Sequence, residues 1–309
     1  MPKPSPSAPA LPHAQQASLD APHPGGLLHD LEVMHTRRQA LRWLGGVGSW
    51  ASAGVLLSAC GGGDTGSADP ASTSSSSTTT TTSSSSASGS STSSCSVVPE
   101  ETQGPYPGDG SNTANGSLAN ALALSGIVRS DIRNSVGSAS GTASGVPVKL
   151  VIQLVNVNNG CAVLDGYAIY LWHCDAQGRY SMYSSGVTSE NYLRGVQPTD
   201  SSGQATFQTI FPGCYSGRMP HMHFEVYRST NTATSFSNKL KTSQLAFPNE
   251  VSAAVYNSDS RYSASISNFA KISFASDNIF SDGYSLEMTS MSGDATNGYT
   301  ATITIGISV

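Results

Sequence analysis

Val148-Lys149-Leu150-Val151-Ile152-Gln153-Leu154-Val155 is the stretch that sets the class of fold. It is apolar and rich in β-branched residues, with Lys149 and Gln153 falling on one face of an extended chain, so the other face is free to enter a core. Working outward, runs of the same kind recur at 167–172, 205–210, 221–227 and 300–305, separated by clusters of Gly, Asn, Asp and Pro. Asp200-Ser201-Ser202-Gly203 is a turn leading into one of them. Helical patterning is weak and confined to 119–124 and 244–256. The pattern predicts an all-β domain: an antiparallel β-sandwich core with long loops and few short helices.

Composition narrows what such a domain does. Against 20 Asp+Glu the chain sets 15 Lys+Arg, a formal charge of -5, which excludes a nucleic-acid binder working through a basic surface. With 11% charged residues it also lacks the makings of coiled coils. The hydrophobic fraction of 38% is low because the 309 residues are not uniform.

Residues 1–60 read as an export address. Thr36-Arg37-Arg38-Gln39-Ala40-Leu41 precedes a short, Gly-containing apolar run, the pattern of a twin-arginine signal. At roughly 15 residues that run is short for a spanning helix, which needs about 20. It ends in Leu57-Ser58-Ala59-Cys60-Gly61, which resembles the lipobox of bacterial lipoproteins. That resemblance implies lipidation at Cys60 and an exported, extracytoplasmic protein anchored to a membrane. An uncleaved single-span anchor is the alternative, and it places the rest of the chain on the same side. Residues 61–94 are Gly, Ser and Thr with almost nothing apolar, a tether that buries too little surface to offset its ordering entropy. Residues 95–309, about 215 in number, suffice for one domain with one sizeable core. Its four cysteines, Cys95, Cys161, Cys174 and Cys214, allow three pairings, and two disulfides are expected in an exported domain.

Chemistry-bearing residues are densest between Thr209 and His223. In a strand, side chains two apart face the same way, so His221 and His223 can converge on one metal ion, or else stand as ordinary surface residues. Glu225 continues that face as a possible carboxylate ligand, but it lies about 7 Å further along the strand. Tyr180 and Tyr215, in Gly-flanked loops, are the other oxygen donors. Two phenolates suit a hard ion such as Fe(III), which holds tyrosines ionised below their usual pKa of about 10.

Four separated motifs carry a resemblance. Trp172-His173-Cys174-Asp175-Ala176-Gln177-Gly178-Arg179-Tyr180, the stretch from Arg194 to Gly203, Thr209-Ile210-Phe211-Pro212-Gly213-Cys214-Tyr215, and Arg218-Met219-Pro220-His221-Met222-His223 resemble the intradiol ring-cleavage dioxygenases, which act on catechols, hydroxyquinols and protocatechuates. Glu101-Thr102-Gln103-Gly104-Pro105-Tyr106 is similar to the family's opening segment near the active site. The resemblance covers about residues 95–230. It implies Fe(3+) held by Tyr180, Tyr215, His221 and His223, with Tyr215 displaced when substrate chelates the metal. It implies Arg218 beside the substrate, stabilising negative charge, and Tyr106 as a pocket residue. The partners implied are a catechol-type aromatic and O2, and the product is a muconic-type diacid cleaved between the two hydroxyl-bearing carbons. A single-domain core of the protocatechuate type is favoured over one with an N-terminal helical linker; an oligomer is compatible with it. The loop between Tyr215 and Arg218 is shorter than in the cytoplasmic enzymes, so the resemblance does not carry the substrate itself across.

Other readings compete. A tethered β-sandwich can be a glycan- or protein-binding module, with Tyr and Trp for sugar stacking, or a site of His221, His223 and Glu225 can serve other metal chemistry. His173, opposite Trp172 on its strand, reads as a hydrogen-bonded structural residue. Arg129, Asp131 and Arg133 form either a buried ion-pair cluster behind the site or a surface turn. Residues 231–309, apart from the weak helical pattern at 244–256, show little beyond strands and turns.

Overall fold

The computed structural model describes residues 95–309. The export signal, Cys60 and the tether at 61–94 lie outside the described residues. In chain order the strands are β1 (Asp109–Ala114), β2 (Ser117–Asn120), β3 (Pro147–Asn156), β4 (Ala162–Val163), β5 (Ala168–Trp172), β6 (Arg194–Pro198), β7 (Gln204–Ile210), β8 (His221–Tyr227), β9 (Lys239–Ala246), β10 (Ser290–Asp294) and β11 (Gly298–Ile307). Two short helices, α1 (Asn249–Ser258) and α2 (Ser263–Phe269), follow β9.

The strands form three sheets: the β1-β2 hairpin, a four-stranded sheet ordered β6-β5-β8-β9, and a five-stranded sheet ordered β10-β11-β3-β4, with β7 also pairing β3. Along β3 the expected alternation holds: Val148, Leu150, Ile152 and Leu154 are buried, while Lys149 faces solvent. These four share one hydrophobic cluster with Ile169 and Leu171 of β5, Phe207 of β7, Met222, Phe224 and Val226 of β8, and Ile305 of β11. Both larger sheets therefore bury their inner faces in a common core.

The pairings are mostly antiparallel, as expected, with one exception, and the two helix expectations need correction. The pairing of β11 with β3 is parallel over nine residue pairs, from Tyr299↔Val148 to Ile307↔Asn156. A tight turn would force an antiparallel partner. Here the excursion through β9 and both helices intervenes, so the β10-β11 hairpin is free to dock in either sense. The helix expected from Gln244 starts only at Asn249, because Pro248 disfavours helical backbone at Phe247 and leaves Gln244–Ala246 in β9. At 119–124 only a three-residue 3-10 turn forms, Ala121–Ala123. The remaining strand expectations match.

Among the described residues one disulfide forms, not two: Cys95–Cys161 closes a sequence separation of 66 residues. Cys174 and Cys214 are free and buried. Each thiol is turned to a backbone carbonyl instead, Cys174 to Gly213 at 3.4 Å and Cys214 to Arg218 at 3.4 Å.

Candidate metal centre

Every residue of β8 is buried, including those on the polar side of its alternation. One face enters the common core. The other carries His221, His223 and Glu225, and loops cover it. Trp172 is the cross-strand partner of His223 and stacks on its ring, 5.0 Å between centroids and 6° between planes. The opening segment lies on the imidazole too: Gly104, at φ +69, sits where a Cβ would come within 3.3 Å of His223 Cε1. Nδ1 of His221 is 2.6 Å from the Met219 carbonyl, which makes Nδ1 the protonated nitrogen and leaves a lone pair on Nε2.

The tyrosines arrive from loops at the ends of β5 and β7. The Asp175 carboxylate shapes the first loop, accepting from the backbone N–H of Gln177 and Arg179 and from Arg179 Nε, each at 2.9 Å. The second loop lies directly on the first because residue 213 is glycine. A Cβ there would stand 2.7 Å from the Asp175 carbonyl oxygen and 2.8 Å from Gly178 N, against backbone that cannot give way. The result is convergence. Tyr215 Oη is 3.0 Å from His221 Nε2, and Tyr180 Oη is 3.4 Å from both of them. His223 Nε2 lies 3.2 Å from His221 Nε2.

That spacing is what donors adopt when each sits about 2 Å from a shared ion. The protonation states agree. Burial drives both imidazoles well below the ordinary histidine range, with Arg218 adding to the effect on each, so both rings are neutral at physiological pH. Burial also raises the Tyr180 phenol well above 10 and pushes Tyr215 up to about 12, with the Arg218 charge opposing. Both phenols keep their protons until a cation replaces them. Two ionisable phenols and two neutral imidazoles form a donor set that fits a hard ferric ion.

The carboxylate alternative does not assemble. Among the described residues no group of three or more His, Cys, Asp or Glu side chains is placed to hold a metal. Glu225 is engaged elsewhere, its Oε1 accepting from Lys239 Nζ at 3.0 Å and its Oε2 from the Tyr227 hydroxyl at 2.6 Å. Burial pushes its pKa up to about 7, with the Lys239 charge opposing.

Arg218 is buried with its NH1 3.4 Å from His221 Nε2. Nε donates to both carboxylate oxygens of Asp277 at 3.2 and 3.0 Å, and NH2 to Gln244 Oε1 at 2.7 Å. Asp277 also accepts from the backbone N–H of Met219, Ile279 and Phe280. Neither Asp277 nor Gln244 was recognisable in the sequence. Both come from the region beyond residue 230, where nothing marks one polar residue among many until the chain returns to the site.

Tyr106 packs its ring 5.1 Å from Tyr180 and 5.2 Å from Tyr183, which puts it beside one of the candidate donors. His173 is structural as expected, its two nitrogens held by the Cys174 carbonyl and the Thr209 hydroxyl. Asp131 and Arg133 pair on the surface rather than behind the site, at 37% and 41% side-chain exposure.

The family described as Dioxygenase matches residues 129–278. An intradiol ring-cleavage dioxygenase from Tetranychus urticae is similar in structure, with a TM-score of 0.52 and 23% identity over 69% of this chain and 95% of its own. A catechol 1,2-dioxygenase from Pseudomonas arvilla C-1 gives a TM-score of 0.41 and 20% identity over 67% of this chain and 61% of its own. No curated protein sequence is significantly similar to the chain. The family match spans Tyr180, Tyr215, Arg218, His221 and His223, the residues that the fold gathers at one point. The chain matches the Dioxygenase family over residues 129–278 and shares the fold of the intradiol ring-cleavage dioxygenases, oxidoreductases that act on catechol-type substrates with O2.

Proposed function

We propose that the chain is a non-haem Fe(III) dioxygenase that opens a catechol-type ring between its two hydroxyl-bearing carbons, giving a muconic-type diacid. The observation that carries this reading is the convergence at the covered face of β8, where Tyr180, Tyr215 and His221 stand 3.0–3.4 Å apart and His223 lies 3.2 Å from His221. The two larger sheets, sharing one core, are read here as the β-sandwich that supports it.

Bound ferric iron would act as Lewis acid and template, activating the chelated ring for reaction with O2. The side chains divide the remaining work. Tyr180, His221 and His223 are buried and act as fixed ligands. Tyr215 is only half-buried, and Ser216 and Gly217 beside it are exposed, so it is the ligand free to leave. On leaving, its phenolate oxygen accepts a proton from a substrate hydroxyl, which its preference for the protonated state makes favourable. Arg218, fixed by Asp277 and Gln244, directs NH1 at the centre and stabilises negative charge gathering on the ring. Gly104, Trp172 and Tyr106 close the sides and keep water from the fixed ligands.

Absorption and electron paramagnetic resonance of the iron-loaded protein test the ligand set, and oxygen uptake with catechol, protocatechuate, hydroxyquinol and halogenated catechols tests the reaction. A tyrosinate-to-iron absorption band and oxygen consumption with ring opening are expected. Stoichiometric ferric iron with no such band would sink the assignment.

We further propose that the protein is exported by the twin-arginine route and anchored at Cys60, a reading supported by Arg37-Arg38 and Leu57-Ser58-Ala59-Cys60. Metabolic labelling with a radioactive fatty acid should mark the wild type and not Cys60→Ser; equal labelling of both removes the anchor.

A further inference from the structure

Arg194, on β6, is 1% exposed and forms hydrogen bonds from all five of its N–H groups. Nε donates to Ser181 Oγ at 3.1 Å. NH1 donates to the Pro107 carbonyl at 2.6 Å and the Tyr170 hydroxyl at 3.2 Å. NH2 donates to the carbonyls of Tyr106 and Ser181, both at 3.0 Å. None of these partners is a carboxylate. Arg218, also buried, has Asp277; Arg194 is a buried charge hydrogen-bonded only to neutral oxygens, with the Tyr183 ring centroid 5.4 Å from its Cζ. Such an arrangement is costly and persists where geometry depends on it.

The partners are not scattered. Tyr106 and Pro107 belong to the opening segment, and Ser181 directly follows the ligand Tyr180. These two segments meet through the 5.1 Å contact between the rings of Tyr106 and Tyr180. The guanidinium bridges their backbones behind that contact, and a planar fork reaches both where a single ammonium cannot. Gly108 is part of the same fit, since a Cβ there would fall 2.7 Å from Arg194 NH1.

We propose that Arg194 is a positioning residue for ring cleavage: its fork joins the Tyr106–Pro107 backbone to Ser181 and so fixes the gap between the pocket wall at Tyr106 and the ligand at Tyr180. The proposal rests on the ferric reading of the site above.

Arg194→Lys keeps the charge and removes the fork, and Ser181→Ala removes one acceptor, together with the hydroxyl's own bond to the Tyr192 carbonyl, while leaving the arginine in place. In the metal-free protein, hydrogen exchange should quicken in the opening segment and in the turn after Tyr180 for Arg194→Lys, and less for Ser181→Ala. In the iron-loaded protein, the tyrosinate-to-iron band should shift, and KM for a catechol should rise roughly tenfold or more while kcat falls less. If Arg194→Lys does not fold, Ser181→Ala carries the same readouts at smaller amplitude. A coloured wild type with variants unchanged in band position, in the KM-against-kcat split and in exchange overturns the proposal alone. A wild type that binds ferric iron without colour overturns the ferric reading and the proposal together.

Discussion

The Arg218 guanidinium and the Asp277 carboxylate form an ion pair at 3.0 Å, with side-chain exposures of 7% and 0%, across 59 residues of sequence. Burial alone would disfavour the arginine's charge, but Tyr215 and Asp277 outweigh it and raise its pKa. The group that faces the metal donors is thus fixed by a carboxylate behind it. The same carboxylate caps the backbone at Ile279 and Phe280.

Replacing Asp277 by Asn leaves the shape and removes the charge. Catechol turnover should fall roughly 10- to 100-fold in kcat as Arg218 loses its orientation, with ferric iron and the absorption band retained. Leaving the arginine buried without its partner should also cost about 3–5 kcal/mol of stability, readable by urea denaturation. Unchanged kcat in a protein that has lost that stability would assign Asp277 to folding alone.

Ferric iron should displace protons as it binds. Both phenols are held above their ordinary pKa by burial, and both imidazoles are neutral, so at pH 7 the tyrosines are the proton source. Uptake of one ferric ion should release about two protons from the protein, measured by calorimetry in buffers of different ionisation enthalpy. Tyr180→Phe should lose iron and colour outright, as should His221→Ala. Release that is unaffected by Tyr215→Phe would remove that residue from the ligand set.

The acid side of the stability profile carries a sign that Glu287 sets. Burial, then the neighbouring Glu101, pushes its pKa up to about 8 from an ordinary value of 4.5. Between those pH values the folded protein keeps a proton that the unfolded chain has lost. The contribution is therefore fully present below pH 4.5 and is lost as pH rises towards 8. Glu287→Gln should flatten that decline by on the order of 3 kcal/mol, seen in denaturation midpoints at pH 5 and pH 8. Parallel profiles for the two proteins would contradict the assignment.

The Cys95–Cys161 bridge ties the start of the described chain to the turn after β3. Replacing both cysteines by serine should cost about 4 kcal/mol from the loop it closes and leave the iron band in place. Peptide mapping without reductant should recover these two cysteines cross-linked, with Cys174 and Cys214 alkylated only after unfolding. A Cys174–Cys214 peptide would contradict the structure.

The sequence by itself determined the strand content of the core, because alternation along 148–155 and 221–227 is a local property that survives in any fold. It also singled out four candidate donors, since an H-x-H strand puts two side chains on one side and the two tyrosines stand in motifs that resemble a known family; the fold brings these four together. Only the tertiary structure decided what holds those donors. Gly213 reads as one loop glycine among many until the Asp175 carbonyl is found against it. Asp277 and Gln244 have no local signal, and Arg194 opens a recognisable motif that says nothing of what it bridges, since a polar side chain acquires its role from what the chain brings opposite it. The parallel docking of β11 and the single disulfide were likewise set by distance in space. Neither direction of approach nor pairing of thiols is encoded in the spacing of residues along the chain.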